Sequence, residues 1–362
     1  MSGKSFSSNI LNFILKKIFA ISENVDKNLG DVNKILIIRQ HNQLGDMLAG
    51  VSLLRALREK YPESKIHIVV SPNNRAAVIK NKFVDSYFVF DKPGIFYPFR
   101  FLKFLKYLRQ DFDVVIVPVT VSISFTSNLI ARISKSRTRI GANSLDGKPN
   151  DVAFFFDRKI DIDWRRHPDS NAADIILDMV RPFGIDTNDY SSEITCDNFD
   201  FNVADNFLKD INYNSELKLI GMHVGAGKPQ NRWSLQKYVD LISKLNDNYT
   251  CCLYLTGWKY DSDELDYIIK HSKVKINQYL HHSISEVAAL ISKSNLFITN
   301  DTGIMHVAGT TLTSQVSLFG PTNPFNWAPC GKNKIFLRKS DLIDDIEVEE
   351  VFDVCKVLLE NK

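Results

Sequence analysis

No apolar run in this chain reaches the ~18 residues a bilayer-spanning helix needs. The nearest candidate, SFSSNILNFILKKIFAISENVDK at 5–27, is interrupted by Asn12 and by Lys16-Lys17. It has no clean apolar core followed by a small-residue cleavage site, so a secretory signal is not expected. Cysteine is scarce: five residues, at 196, 251, 252, 330 and 355, with no C-x-x-C pair. That excludes a disulfide framework and the usual zinc spacings, and a reduced, cytoplasmic compartment is expected. The formal charge of only +3 carries no mark of a dedicated nucleic-acid binder. Solenoid repeats and low-complexity tracts are missing. So are two phosphate fingerprints. No G-x-G-x-x-G occurs, and a P-loop ending at Lys228 would need Gly and Ser/Thr where Met222 and Pro229 stand.

What is present is alternation. The 362 residues are 44% hydrophobic and 24% charged, enough for two cored domains. Short β-branched runs alternate with helical patterns: KILII (34–38), a helix 46–60, KIHIVV (65–70), a helix from about Asn73, SYFVF (86–90), a helix 96–109, DVVIVPV (113–119) and RIG (139–141). The rhythm weakens from Asn150 to about Ser215, with a helical stretch at 170–183 and a polar linker, DTNDYSSEITCDNFDFN, at 186–202. It resumes with LKLIGMHV (217–224), CCLYLTG (251–257), KVKINQY (273–279), NLFITN (295–300) and QVSLFG (315–320), separated by helices, and ends in a helix over 347–362. Such a βαβ rhythm implies parallel sheets covered on both faces. The expected organisation is an amphipathic extension over 1–30, a Rossmann-like domain over 31–200, a second over 201–345, and a closing helix over 346–362. In such sheets ligands bind at the carboxyl ends of the strands, so the strand-end loops carry the functional expectations.

Three loops stand out. In RQHNQLGDM (39–47), Asp46 follows Gly45 where a helix begins. Asp is a preferred N-cap, and a base at a strand end is the other reading. In HVGAGKPQNRWS (223–234), Gly225, Ala226, Gly227, Lys228 and Arg232 precede a helix that Ser234 can cap. Glycines let backbone N–H groups approach an anion and the cations add charge; a plain flexible loop is the alternative, and Trp233 reads as core. In FITNDTGIMHVAGTTLTSQVSLFGPTNP (297–324), Asp301, Thr302 and Gly303 mark a strand-to-helix junction whose free N–H groups and dipole suit an anion. His306 follows about one turn later, as a ligand contact or as a structural histidine.

Taken together, "LGD…LLRALREKYP", "GMHVGAG…RWS" and "NDTGIMHVAG…SLFGPTNP" resemble glycosyltransferase family 9, the bacterial heptosyltransferases, from about Lys34 to Lys339. The resemblance implies a GT-B fold, two Rossmann-like doubly wound domains facing a central cleft, with the nucleotide-sugar held by the second domain and the acceptor by the first. It implies a C-terminal helix that packs back on the first domain. The implied activity is inverting transfer of a heptose or related sugar from an ADP-sugar to a lipopolysaccharide core saccharide, without a metal or other cofactor. Residue by residue, it implies Asp46 as general base, Gly225 and Ala226 as first phosphate contacts, and Thr302, Gly303 and His306 as diphosphate and sugar contacts oriented by Asp301. Asp261 and His282 fall on the nucleotide side, and Gly45, Arg165, Arg166 and His167 on the acceptor side. Asn231 stands where many members have Lys, so Lys228 or Arg232 would take over the phosphate clamp. A protein or O-antigen-type acceptor, and a GT-B scaffold that binds without turnover, are the alternatives.

Two surfaces bear on location. Ile10, Leu11, Phe13, Ile14, Ile18 and Ile21 can share one helix face, either packed on the body or lying on an anionic membrane. FRFLKFLKYLR (99–109) sets Arg100, Lys103, Lys106 and Arg109 along one side, with Phe101, Leu102, Leu105 and Leu108 assigned to the core. That side is either a solvated face or a basic surface for anionic lipid or a phosphorylated saccharide. Arg132, Lys135, Arg137 and Arg139 add further charge to the first domain. A glycolipid or saccharide acceptor, peripheral contact with the inner face of the inner membrane, and no nucleic-acid partner are expected.

Overall fold

The computed structural model describes residues 6–40 and 43–360, with side chains from residue 13 onward. The chain divides into two units, Met1–Tyr190 and Ser191–Lys362. The first holds strands β1 (Lys34–Arg39), β2 (Lys65–Val70), β3 (Ser86–Val89), β4 (Phe112–Ile116), β5 (Ser136–Leu145), β6 (Lys148–Pro149) and β7 (Arg158–Ile162). Their order is β3-β2-β1-β4-β5, with β6 antiparallel and β7 parallel to β5. The second unit holds β8 (Lys218–His223), β9 (Cys251–Gly257), β10 (Ile276–Leu280), β11 (Leu296–Asn300), β12 (Ser314–Leu318) and β13 (Lys334–Leu337). Its order β10-β9-β8-β11-β12-β13 is the doubly wound 3-2-1-4-5-6 arrangement, parallel throughout.

The central strands explain themselves. Strands covered by helices on both faces need continuous apolar runs rather than alternation. Ile35, Leu36, Ile37 and Ile38 of β1 are all essentially inaccessible, as are Leu296, Phe297 and Ile298 of β11.

Several expectations need correction. The helix expected from about Asn73 is a single 3-10 turn, Arg75–Ala77. The one expected over 46–60 starts earlier, as Leu44–Ala49, and restarts after Gly50 as Val51–Lys60. RIG is the middle of the longer β5. The polar linker contains the start of helix Asn198–Asp210, closed by a capping box in which Asp197 accepts the Asp200 N–H and Asp200 accepts the Asp197 N–H. This helix belongs to the second unit, which moves the boundary ahead of residue 200.

The closing helix, Val348–Glu360, buries apolar residues in the core of the second unit. Val351, Phe352, Cys355, Leu358 and Leu359 are buried in one core with Tyr238, Leu241 and Leu245 of helix Leu235–Asn248. Trp233 joins that core, and its indole Nε1 donates to the Ile346 carbonyl at 2.9 Å. In the amino-terminal helix Phe6–Phe19, the side chains of Ile10 and Leu11 lie outside the described residues. Phe13, Ile14 and Ile18 are exposed rather than packed on the body. The end of this helix docks on the first unit, where Phe19 meets Phe155 edge-to-face and Arg132 donates to the Phe19 carbonyl.

β13, which the sequence reading missed, brings in a buried lysine. The Lys334 ammonium donates to the carbonyls of Ala308 and Thr313, and burial pushes its pKa down to about 7. Between that value and the unfolded value of 10.5 the unfolded chain binds more protons, so this group makes stability rise with pH across the window. The melting temperature of the wild type is expected to gain on that of Lys334→Met from pH 7 to pH 10. A constant difference over that range would count against it.

Candidate active site

In an open α/β sheet the crevice forms where strand order reverses. In the first unit that point lies between β1 and β4, which pair directly. Asp46 is there, 3% exposed. Thr120, beyond β4, donates its hydroxyl to Asp46 Oδ1 at 3.0 Å. Arg39, the last residue of β1, brings Nη2 to 3.5 Å from the same oxygen and donates to the Asp46 carbonyl and to Thr120 Oγ1. Its Nη1 donates to the Pro118 carbonyl. Burial pushes the Arg39 guanidinium down from its usual value, and Asp46 opposes the shift.

The cap reading of Asp46 is therefore corrected. The N-cap is Gln43, which makes no side-chain cap bond, and Asp46 is the third residue of the helix. The arginine at the strand end captures the carboxylate instead. Gly45 lies one residue earlier in the same turn.

The acceptor-side residues follow β7. Trp164 opens a 3-10 turn, Trp164–Arg166, and its indole donates to the Thr120 carbonyl at 2.8 Å. One residue thus touches both Asp46, through its hydroxyl, and this turn, through its carbonyl. Arg166 and His167 line a polar cleft of about 550 Å³ with Asp161, Asp163 and Arg181. Arg165 does not line it. Its guanidinium grips Asp163 through two bonds, at 2.7 and 2.8 Å, and holds that carboxyl well below the usual carboxylate range, at about 2.

In the second unit the reversal lies between β8 and β11, where Thr299 pairs with His223. The loops leaving both strands line a cleft of about 510 Å³. Of the residues expected from the sequence, Ala226, Arg232, Asp261, His282 and Thr302 line it. Gly225 lies against Asp261: a Cβ there would fall 2.1 Å from Asp261 Oδ1, so any larger residue would have to displace the Asp261 side chain. Asp261 Oδ2 in turn accepts the Trp258 N–H. Arg232 is already engaged, ion-paired with Glu264 and donating Nε to the Ala226 carbonyl. Lys228 is exposed, and its charge is felt by Asp301. His282 stacks on Tyr279 with ring centroids 3.6 Å apart and lies 3.4 Å from Glu286.

Asn231 is not a spectator. Its Nδ2 donates to Asp301 Oδ2 at 2.9 Å and to the Asp301 carbonyl at 3.2 Å. Thr322 also bonds the Asp301 carboxyl, yet burial raises its pKa above the usual range. Thr302 is the N-cap of helix Gly303–Gly309 without capping it through its side chain. That helix has only seven residues, so the dipole invoked from the sequence is small there. His306 does not line the cleft; it is buried, edge-to-face with Trp327.

A buried amide shapes the glycine loop from beneath. Asn300 Nδ2 donates to the carbonyls of Val224 and Gly225, and its Oδ1 accepts from the Trp233 N–H and the Tyr238 hydroxyl.

Among the lining residues that the sequence reading missed are His223, Thr256, Trp258 and Tyr260. His223 Nδ1 lies 3.1 Å from both the carbonyl and the hydroxyl of Thr256, and burial lowers its pKa, which favours a neutral ring. Their signal was positional, since His223 ends β8 and Trp258 follows β9. Among the described residues, no three His, Cys, Asp or Glu side chains form a metal-ligating group.

Comparison with known proteins bears on the same loops. Residues 101–351 match glycosyltransferase family 9 (heptosyltransferase). The chain is 26% identical over 327 residues to lipooligosaccharide heptosyltransferase 2 of Haemophilus ducreyi, covering 85% of this chain and 89% of that protein. Among solved structures it resembles a glycosyl transferase family 9 protein from Veillonella parvula, with TM-score 0.78, 20% identity, and coverage of 95% and 99% of the two chains. It also resembles the E. coli ADP-heptose lps heptosyltransferase II, with TM-score 0.73, 19% identity, and coverage of 91% and 99%. These structures share the GT-B fold, which accounts for two units whose parallel strands run in the order 3-2-1-4-5. On the match that runs through both units and takes in the glycine loop and the Asp301 junction, the chain belongs to glycosyltransferase family 9 and is a glycosyltransferase.

Proposed function

We propose that this enzyme transfers a heptose, or a closely related sugar, from an ADP-sugar to a saccharide of the lipopolysaccharide core, with inversion and without a metal. The observation that carries the reading is the cleft at the β8/β11 reversal, where Ala226 and Gly227 of the glycine loop meet Thr302 of the strand-to-helix junction, with the exposed Lys228 next in the loop. The likeness to a lipooligosaccharide heptosyltransferase along 85% of the chain supports the choice of sugar and acceptor.

In this reading the donor lies in the second unit and the acceptor in the first. Backbone N–H groups of Gly225 and Ala226, the Thr302 hydroxyl, the Gly303 N–H and the Lys228 ammonium hold the diphosphate. Lys228 is the better clamp, because Arg232 is committed to Glu264 and to the Ala226 carbonyl. Asp301, held by Asn231 and Thr322, orients these groups, and His306 acts on the sugar side. Asp261 and His282 serve the nucleoside. Arg166 and His167, with Gly45 leaving room beside Asp46, receive the acceptor, and Arg165 acts on them through Asp163.

The chemistry is one displacement. Asp46 takes the proton of the acceptor hydroxyl. The oxygen attacks the anomeric carbon from the face opposite the diphosphate. The carbon–oxygen bond to the diphosphate breaks, its electron pair leaves with ADP, and the anomeric centre inverts. Charge gathers on the leaving phosphate, where preformed donors act most strongly. A core acceptor is anchored in lipid, so peripheral contact with the inner face of the inner membrane belongs to the same reading.

Incubation with a panel of nucleotide-sugars and deep-rough lipopolysaccharide, read by mass, is expected to show one added heptose with the ADP donor. Transfer of a different sugar, or onto protein only, would overturn the reading.

A further inference from the structure

From Lys92 to Gln110 the chain has five basic residues and no acidic one. The middle of this segment is helix Pro98–Leu108, started by a proline at its first position. Its inner face is narrow. Phe104 and Leu108 are buried, and Phe104 meets Phe88 and Phe90 with ring centroids 5.0 Å away in each case. Phe101 and Leu102, assigned to the core from sequence, are exposed.

The outer face has an uncommon composition. Phe99, Leu102, Lys103 and Lys106 follow the i, i+3, i+4, i+7 spacing that aligns residues on one side of a helix, and all four are exposed. Phe96 and Tyr97 extend this face at the amino-terminal end. Phe96 is 86% exposed, Phe99 79%, Tyr97 67% and Leu102 63%. A solvated helix face would have polar residues at such positions. Contiguous exposed apolar side chains mark an interaction surface, and aromatics interleaved with lysines suit the boundary of an anionic bilayer. There the rings enter the headgroup region and the ammonium groups stay with the phosphates.

We propose that Phe96, Tyr97, Phe99 and Leu102, with Lys103 and Lys106, form the surface on which this enzyme docks to an anionic lipid bilayer. Charge complementarity selects lipid over a second copy of the chain, since a self-contact would bring two sets of these lysines together. The inference deepens the proposed function, because it gives a lipid-anchored acceptor a surface to be met from. The same chemistry recurs in the same unit on helix Phe6–Phe19, where Phe13, Ile14 and Ile18 are exposed beside Lys16 and Lys17.

The test is sedimentation of the full chain with vesicles of phosphatidylglycerol and phosphatidylethanolamine, against vesicles of phosphatidylcholine. Binding is expected only to the anionic vesicles and is expected to weaken as salt is raised. Lys103→Glu with Lys106→Glu, and separately Phe99→Ser with Leu102→Ser, should each lower the bound fraction at least tenfold at unchanged melting temperature. Transfer to a soluble core saccharide should stay at the wild-type rate. No sedimentation with anionic vesicles, or wild-type binding by both pairs, overturns the proposal. So does binding lost in Phe13→Ser with Ile18→Ser but retained in the Phe99 pair, or a dimer that the Phe99 pair dissolves without any lipid binding. Failure of all sugar transfer with vesicle binding intact would reject the proposed function and leave the docking surface standing.

Discussion

Asp46→Asn is expected to lower turnover by roughly 10²- to 10⁴-fold, the usual worth of a positioned general base. The substitution keeps an oxygen for the Thr120 hydroxyl and for Arg39 while removing the capacity to take a proton. ADP affinity should stay within about twofold, because the diphosphate contacts proposed above all lie in the other unit. Calorimetry with ADP and a turnover assay at saturating donor separate the two effects. Turnover undiminished in the variant would remove Asp46 from the mechanism. Unchanged ADP binding with no turnover even in the wild type, across acceptors, would make the protein a scaffold.

The second large effect falls on stability. Arg39→Met leaves the Asp46 carboxylate buried without its cation. Breaking a buried ion pair from one side costs about 3–5 kcal/mol. Urea unfolding should show a loss of that order in the transition of the first unit. Adding Asp46→Asn should recover part of it, because a neutral amide is less costly to bury than an unpaired carboxylate. A loss under about 1 kcal/mol would mean that water already reaches the pair.

Both effects turn on contacts that a sequence hides. KILII and NLFITN announced themselves as central strands, because a strand covered on both faces must be apolar throughout. The loops that carry Gly225, Ala226 and Thr302 were legible as strand-end loops for a related reason: sheet topology decides where loops gather. Thr120 was not, since it meets Asp46 across 74 residues of chain. Arg39 read as the end of a strand, and nothing local says that its guanidinium turns back over the next helix. The helix at 198–210 was lost for another reason. Its capping box uses Asp197 and Asp200 in a polar stretch with no apolar run to announce a helix. Trp258 and His223 needed the closure of the cleft before they counted as part of it. The roles proposed for Asp261 and His282 rest on the family resemblance, and the cleft gives each of them a place on its wall.

Asn300 adds a consequence for binding. Its single side chain holds two carbonyls of the glycine loop and also receives the Trp233 N–H and the Tyr238 hydroxyl. Fixing the backbone of one free residue costs roughly 1–2 kcal/mol in conformational entropy. A glycine-containing loop would ordinarily meet that cost at the moment a phosphate arrives. Here folding has already met it for Val224 and Gly225, so a phosphate held by this loop as proposed would lose little to ordering that part of it.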